Sequence, residues 1–396
     1  MMRVIFAMIF LFTMLGFSLA QSDGAAGSAS AGAGADTATA PAAAKPPQVK
    51  TEPVTDDWHG TKVTDNYRYL ENGDSPESQQ YVREQLAYTR SVLDKLPGRD
   101  AIHQREAQLL QIGSLSTPHV GGKVYFYRKR EGSQNQPILY VREGLNGKDR
   151  VLVDPNTLAA DGTIALDWWY PTHDGTLVAY GTSPSGNEIS TLHIIESATG
   201  KLLADTIPQT RAASVAWKPD NSGFYYTRYP KKGDVPEGQE MYNRHVFYHK
   251  LGDDPANDAK VFGEGRDPQE WPNVILSDDG KWLIIDCEQG WTKTELFLKD
   301  TASDAAPVRI TTGKEFLYTA DIFDNYIYIL TNEDAPRYRV FKAPVAKAAR
   351  ENWKEIIPQD KVAVLSSADI VGGKIFAHYK QDATSRLKLY SIQGQY

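Results

Sequence analysis

From residue 114 onward, short apolar runs alternate with turn residues, at intervals that cluster near roughly 50 residues, the spacing of large propeller blades. The turns are Gly121-Gly122 before KVYFYRKR, Asp174-Gly175 before TLVAYG, and Asp220-Asn221-Ser222-Gly223 before FYYTRY. Asp278-Asp279-Gly280 before KWLIID, Asp324-Asn325 before YIYIL and Gly372-Gly373 before KIFAHYK continue the series. After each comes a second run that reads as another strand: PILYV, STLHIIE, HVFYHKL, ELFLKD, RVFKA and LKLYSI. The run before a turn, such as AWKPD with Trp217 or NVILSDDG with Ile275 and Leu276, supplies the innermost strand. Six similar units in a row predict an all-β propeller of six recognisable four-stranded blades over residues 114–396, rather than a generic sandwich.

The period changes upstream. In PESQQYVREQLAYTRSVLDKL, Tyr81, Val82, Leu86, Val92, Leu93 and Leu96 fall on a broad helical face, with Pro76 where a first turn tolerates it. RDAIHQREAQLLQIG repeats the pattern with Ile102, Leu109 and Leu110. Residues 49–113 are therefore expected to carry two helices whose apolar faces need cover. The stretch DDWHGTKVTDNYRYLEN ahead of them is dense in charge and aromatics.

The first residues change the picture again. Arg3, the apolar run from Val4 to Phe17 and the small-residue end Ser18-Leu19-Ala20 predict a secretory signal peptide over residues 1–20, hence a periplasmic or secreted location. That run is short for a membrane span, no cysteine follows it to take a lipid, and no stable membrane anchor is expected. Residues 21–48, mostly Ala, Gly, Ser, Thr and Pro, cannot bury enough apolar surface to order themselves and read as a flexible linker. Net charge is -7 with dispersed basic residues, which argues against nucleic acid. A single cysteine, Cys287, excludes an internal disulfide, so stability rests on packing, for which 8 Trp, 21 Tyr and 13 Phe supply area.

No G-x-S-x-G occurs in the chain. The nearest imitation, Gly181 to Gly186 (GTSPSG), leads from a strand into another strand and reads as a loop. The acid pairs Asp56-Asp57, Asp253-Asp254 and Asp278-Asp279 lie in or beside turns, where aspartate caps its own backbone. His245 and His249 would be about 13 Å apart on a strand, too far for one ion. Cys287 reads as a packed strand residue. These residues predict no catalytic group, no metal site and no cofactor.

Taken together, Asp57-x-His59-Gly60-x-x-Val63-x-Asp65-x-Tyr67-Arg68-x-Leu70-Glu71, the two helices and the propeller resemble the N-terminal portion of prolyl oligopeptidases. VLVDPNTLAADGTIAL, AYGTSPSGNE and TNEDAPRYRV extend the likeness from about Lys50 to the last residue, with Asn66 departing where the family usually has proline. The resemblance implies a seven-bladed ring, of which this chain would hold an incomplete part, covering a C-terminal α/β-hydrolase domain that carries the catalytic triad. It implies that DDWHG and its helices are one half of an interface, with that catalytic domain, lying outside this chain, as partner and short proline-containing peptides as substrates. It also implies that propeller positions Ala212, Pro272 and Trp291 line the substrate pocket, Ala212 standing where the family has phenylalanine. On this reading the chain alone is inactive. A peptide- or protein-binding propeller scaffold is the alternative, because a propeller fold alone does not choose a function.

Overall fold

The computed structural model describes residues 45–396, which divide into two compact units, 45–112 and 113–396. The signal peptide predicted at residues 1–20 and nearly all of the linker predicted at 21–48 lie outside the described residues.

In the smaller unit, Val54–Trp58 and Thr61–Asp65 pair antiparallel, with Trp58 opposite Thr61. The two intervening residues, His59 and Gly60, both have positive φ, 53° and 88°, the tight hairpin turn whose twist matches its strands. The dense opening segment is thus a hairpin. Its acid pair divides its work: Asp57 Oδ1 accepts from the Gly60 N–H at 2.7 Å, while Asp56 pairs with Arg68. Helix α1 (Pro76–Leu93) starts on Ser75, whose side chain accepts from the Ser78 N–H at 3.1 Å, with Pro76 at the first helical position. Helix α2 (Arg99–Leu110) follows Gly98 at φ 79°. Leu86, Leu93, Ile102, Leu109 and Leu110, the residues that make the helices amphipathic in sequence, are exposed.

The larger unit consists of six antiparallel sheets in chain order, the blades of the propeller. Blade 1 is built on Val124–Arg130, blade 2 on Leu177–Pro184, blade 3 on Gly223–Arg228, blade 4 on Trp282–Gln289, blade 5 on Tyr326–Thr331 and blade 6 on Lys374–Gln381. Each of these central strands follows one of the predicted turns. Blades 2 to 5 hold four strands each, and blade 6 holds three, ending with Thr384–Ser391.

Why the strands are apolar on both faces is clear from blade 4. Leu283, Ile285 and Cys287 pack toward blade 3, against Ala216, Tyr225 and Val246. Ile284, between them in sequence, packs with Leu296 and Leu298 toward Ala320, Ile327 and Ile329 of blade 5. Alternate residues serve alternate neighbours, so a strand in the middle of a blade has no polar face. Five such clusters fill the five consecutive interfaces between the six blades.

The turns repeat one chemistry. In blade 4, Asp279 Oδ1 accepts from the Ser277 hydroxyl at 2.6 Å and the Lys281 N–H at 3.1 Å, ahead of Gly280 at φ 74°. In blade 2, Asp174 Oδ1 accepts from Thr172 at 2.7 Å and from the Thr176 N–H at 3.0 Å. Gly280 is needed twice over, since a Cβ there would also come within 2.8 Å of the Pro219 ring in the turn of blade 3.

One polar link crosses a blade interface in full burial. His249, on His245–Lys250 of blade 3, places Nδ1 2.8 Å from Asp258 and Nε2 3.0 Å from Asp205 on the outer strand Leu202–Ile207 of blade 2. Asp258 also accepts from the Tyr226 hydroxyl at 2.7 Å, and Asp205 from the Gly252 N–H at 2.6 Å. Burial opposes the imidazolium, but hydrogen bonds and attraction from Asp258 and Asp205 outweigh it, and the pKa is raised. A raised value means the stabilisation is complete below the unfolded imidazole pKa of about 6.5 and is lost as pH rises through the folded one.

His249→Gln is therefore expected to cost about 3–5 kcal/mol near pH 6, as for a buried pair robbed of one partner, and progressively less at higher pH. Burial shifts His119, His193 and His245 the opposite way, so the effect is read as the parent-minus-variant difference in urea unfolding across pH. A difference that does not change with pH would refute the charged clamp.

Candidate functional site

The chain enters each blade from 2 to 6 by its innermost strand, so the starts of those strands gather at one end of the propeller with the loops joining second and third strands. Between blades 3 and 4 this end is stitched by Ser214, whose Oγ accepts from the Val274 N–H at 3.0 Å. Two residues before Ser214 is Ala212, exposed and held at φ 44°. Its turn is fixed from beneath, where the Thr210 carbonyl accepts from the Ala213 N–H at 3.1 Å and from the buried Trp168 indole at 3.1 Å.

Two residues before Val274 is Pro272, buried in the innermost strand Trp271–Leu276 and opposite Cys287. That strand is the inner edge of its sheet, where a residue without an N–H costs no ladder bond. Trp291 occupies the turn from Trp282–Gln289 to Lys293–Asp300 and is 89% exposed, with no hydrogen bond or ring contact recorded among the described residues. The structure thus brings Ala212, Pro272 and Trp291 to the same end of adjacent blades. Ala212 and Pro272 are tied through the Ser214–Val274 bond, and Trp291 stands free in solvent.

Other residues at this end escaped the sequence. Arg244 is buried, donates from Nη2 to Thr227 Oγ1 at 2.8 Å and to Asn273 Oδ1 at 3.1 Å, and lies 4.3 Å from the centre of the Trp271 ring. Asn273 in turn donates to Glu288 at 3.1 Å. Burial pushes the Glu288 carboxyl upward, against the opposing pull of Arg244, and lifts Asp286 well above the ordinary carboxylate range. Beside Trp271 opens a cleft of about 320 Å³ lined by Tyr229, Met241, Tyr242, Pro268, Gln269 and Glu270. Only an arginine flanking a strand hinted at this in sequence, because the groups that make the site come from two blades and a long loop.

The imitation motif is explained by packing. Gly181 lies on Leu177–Pro184, where a Cβ would meet the Trp168 ring at 2.3 Å, and Ser183 is buried and donates to Asp167 at 3.1 Å. Nothing there resembles a nucleophile on a strand-to-helix turn. His245 and His249 lie on one strand, and the two nitrogens of His249 engage separate carboxylates. Cys287 is fully buried, and burial pushes its thiol pKa up, the reverse of activation. Asp254 and Asp279 cap nearby N–H groups, of Ala256 at 2.9 Å and of Lys281 at 3.1 Å. What this end offers chemically is hydrogen bonding, aromatic surface and a buried cation.

The sequence profile described as prolyl oligopeptidase, N-terminal beta-propeller domain, matches residues 46–396. A prolyl endopeptidase of Elizabethkingia meningoseptica is 30% identical over 355 residues, covering 89% of this chain and 50% of that protein. Prolyl oligopeptidase A of Amanita bisporigera is 25% identical over 376 residues, covering 84% of this chain and 48% of its own. A solved structure from a study of two prolyl endopeptidases and their inter-domain dynamics superposes with a TM-score of 0.83 at 34% identity, covering 88% of this chain and 52% of that one. Prolyl oligopeptidase B from Galerina marginata, at 22% identity and a TM-score of 0.76, shares the fold. The chain spans about half the length of the curated relatives it matches.

Trp291→Ala is expected to leave stability within about 0.5 kcal/mol of the parent, since the side chain packs on nothing. Trp168→Ala, which empties the space against Gly181 and frees the Thr210 carbonyl, should cost about 3–5 kcal/mol. Urea unfolding of the two variants separates an exposed tryptophan from a structural one, and equal losses would contradict the placement.

Proposed function

Because the chain belongs to the prolyl oligopeptidase family, as its N-terminal β-propeller domain, we propose that it is the substrate-gating part of an exported serine-type endopeptidase that cleaves short peptides after proline. The observation that carries this reading is the match of residues 46–396 to the propeller profile, together with a span of about half the relatives' length. The catalytic triad is then supplied by an α/β-hydrolase domain outside these residues, in keeping with the lack of any G-x-S-x-G here.

The gating role is one of exclusion. A propeller set over a catalytic serine admits only what passes its end loops or its axis, so flexible oligopeptides reach the nucleophile and folded proteins do not. Ala212, Pro272 and Trp291 serve as pocket walls for the residues preceding the cleaved bond, Trp291 offering a large apolar face. Where Ala212 replaces a bulkier wall, the pocket is roomier. The exposed apolar residues of α1 and α2, Leu86, Leu93 and Leu109 among them, support their use as the docking surface for the hydrolase domain. Residues 1–20 direct export to the periplasm or beyond, and no described helix is long and apolar enough to cross a membrane.

The purified chain alone is expected to release no chromophore from a Gly-Pro reporter and to resist a fluorophosphonate serine label. Mixed with a separately produced hydrolase domain from the Elizabethkingia relative, it should restore cleavage of the reporter while leaving a folded proline-rich protein intact. Leu86→Lys should weaken that restoration about tenfold or more. Serine labelling of the chain alone, or restoration that cleaves folded protein equally well, would overturn the proposal.

A further inference from the structure

Arg244 presents a physical problem that the gating role leaves unsolved. Its side chain is 2% exposed, yet Nε and Nη1 have no hydrogen-bond partner. Its hydrogen bonds, both from Nη2, go to the neutral oxygens of Thr227 and Asn273. No carboxylate makes an ion pair with it among the described residues, and its ionisable neighbours are the phenols of Tyr229 and Tyr170 and the carboxyl of Glu288. Burial accordingly pulls its pKa down. The Glu288 carboxyl and the Tyr229 phenol favour its charge only in part, and withdrawing a guanidinium from water without a direct ion pair is costly, by several kcal/mol in folded proteins.

The surroundings indicate where a counter-charge would enter. The Trp271 ring beneath the guanidinium also lines the cleft of about 320 Å³, and Tyr229 stands edge-on to it, ring centres 6.1 Å apart. These two rings line the cleft and also neighbour Arg244. The loop that overhangs the cleft, residues 230–243, is anchored at both ends, by the Tyr229 N–H on the Gln209 carbonyl at 2.9 Å and the Asn243 N–H on the Pro268 carbonyl at 2.8 Å. The acid in the cleft wall, Glu270, is already held by Nε and Nη2 of Arg266, the latter at 2.7 Å, and by Gln289, so it does not compete for Arg244.

We propose that Arg244 is the anchor of a carboxylate-binding site between blades 3 and 4, in which Nη1, a terminal nitrogen without a hydrogen-bond partner, donates to a peptide carboxylate whose chain lies along Met241, Tyr242 and Trp271. A guanidinium hydrogen bond to a carboxylate is charge-assisted and stronger than one to a neutral acceptor, and Trp271 supplies the flat surface on which the guanidinium stacks. The carboxylate comes from an acidic side chain or from a free peptide C-terminus, two sources of one chemistry. This site is independent of the catalytic reading, because it concerns binding by the chain itself.

The test uses the chain and three synthetic Gly-Pro-containing pentapeptides, with affinities measured by calorimetry and by tryptophan fluorescence. One carries glutamate and an amidated C-terminus, one glutamine and a free C-terminus, and one glutamine and an amidated C-terminus. At least one carboxylate peptide is expected to bind about tenfold or more tightly than the uncharged one, and which of the two does so identifies the source. Arg244→Gln should abolish the preference. Arg244→Lys, which keeps a buried cation and so guards against loss of folding, should reduce it severalfold through loss of the planar guanidinium stacked on Trp271. Met241→Ala should weaken all three peptides without altering the preference. Equal binding of the three peptides, no binding at all, or an undiminished preference in folded Arg244→Lys would each overturn the proposal. Hydrolysis is not read at any point, so failure here is distinct from failure of the gating role.

Discussion

Face-to-face burial of sheets that are apolar on both sides is the constraint on which the larger unit depends. A sheet with one apolar face is satisfied by one neighbour, but a sheet such as blade 4, with Ile285 turned one way and Ile284 the other, requires two. Repetition of that requirement generates a series of blades instead of a two-layer sandwich. It also explains the size of the unit without any disulfide, since the one cysteine is simply another buried contact in the third interface.

Polar groups enter this packing only under tight conditions. The His249 link places one imidazole between two carboxylates contributed by neighbouring blades, with both ring nitrogens engaged and each carboxylate held by a second donor. Arg244, just ahead of the strand that carries His249, is its opposite, a buried cation with donors to spare. Structure-holding polar networks close on themselves, whereas an open one is a candidate for recognition. The contrast between the two gives the end of blades 3 and 4 a chemical character that its exposed residues Ala212 and Trp291 alone do not have.

The two units pose complementary questions of surface. In residues 45–112 the hairpin and helices satisfy their own backbone hydrogen bonds, yet much of their apolar surface stays exposed. In residues 113–396 five clusters of apolar residues are buried between blades, and the end of blades 3 and 4 keeps exposed Met241 and Tyr242 and half-buried Trp271 beside polar groups. The first pattern is suited to a broad, largely apolar interface, the second to short, adaptable ligands.

Much of the architecture was determined by local sequence. Asp-Gly, Asp-Asn and Gly-Gly pairs place turns through backbone conformations that few residues adopt, and the doubled apolar runs beside them admit only strands with two buried faces. Thus the central strand of every blade, the two helices and the family likeness were legible. The hairpin at Val54–Trp58 was not, because its charged residues hide a strand alternation and only His59-Gly60 marks the turn. Neither were Arg244 with Trp271, nor His249 between Asp205 and Asp258. Each of these includes a contact across blades between residues far apart in sequence, 27 positions for Arg244 and Trp271 and 44 for His249 and Asp205, and the partners of a buried charge are chosen by tertiary packing, not by spacing along the chain.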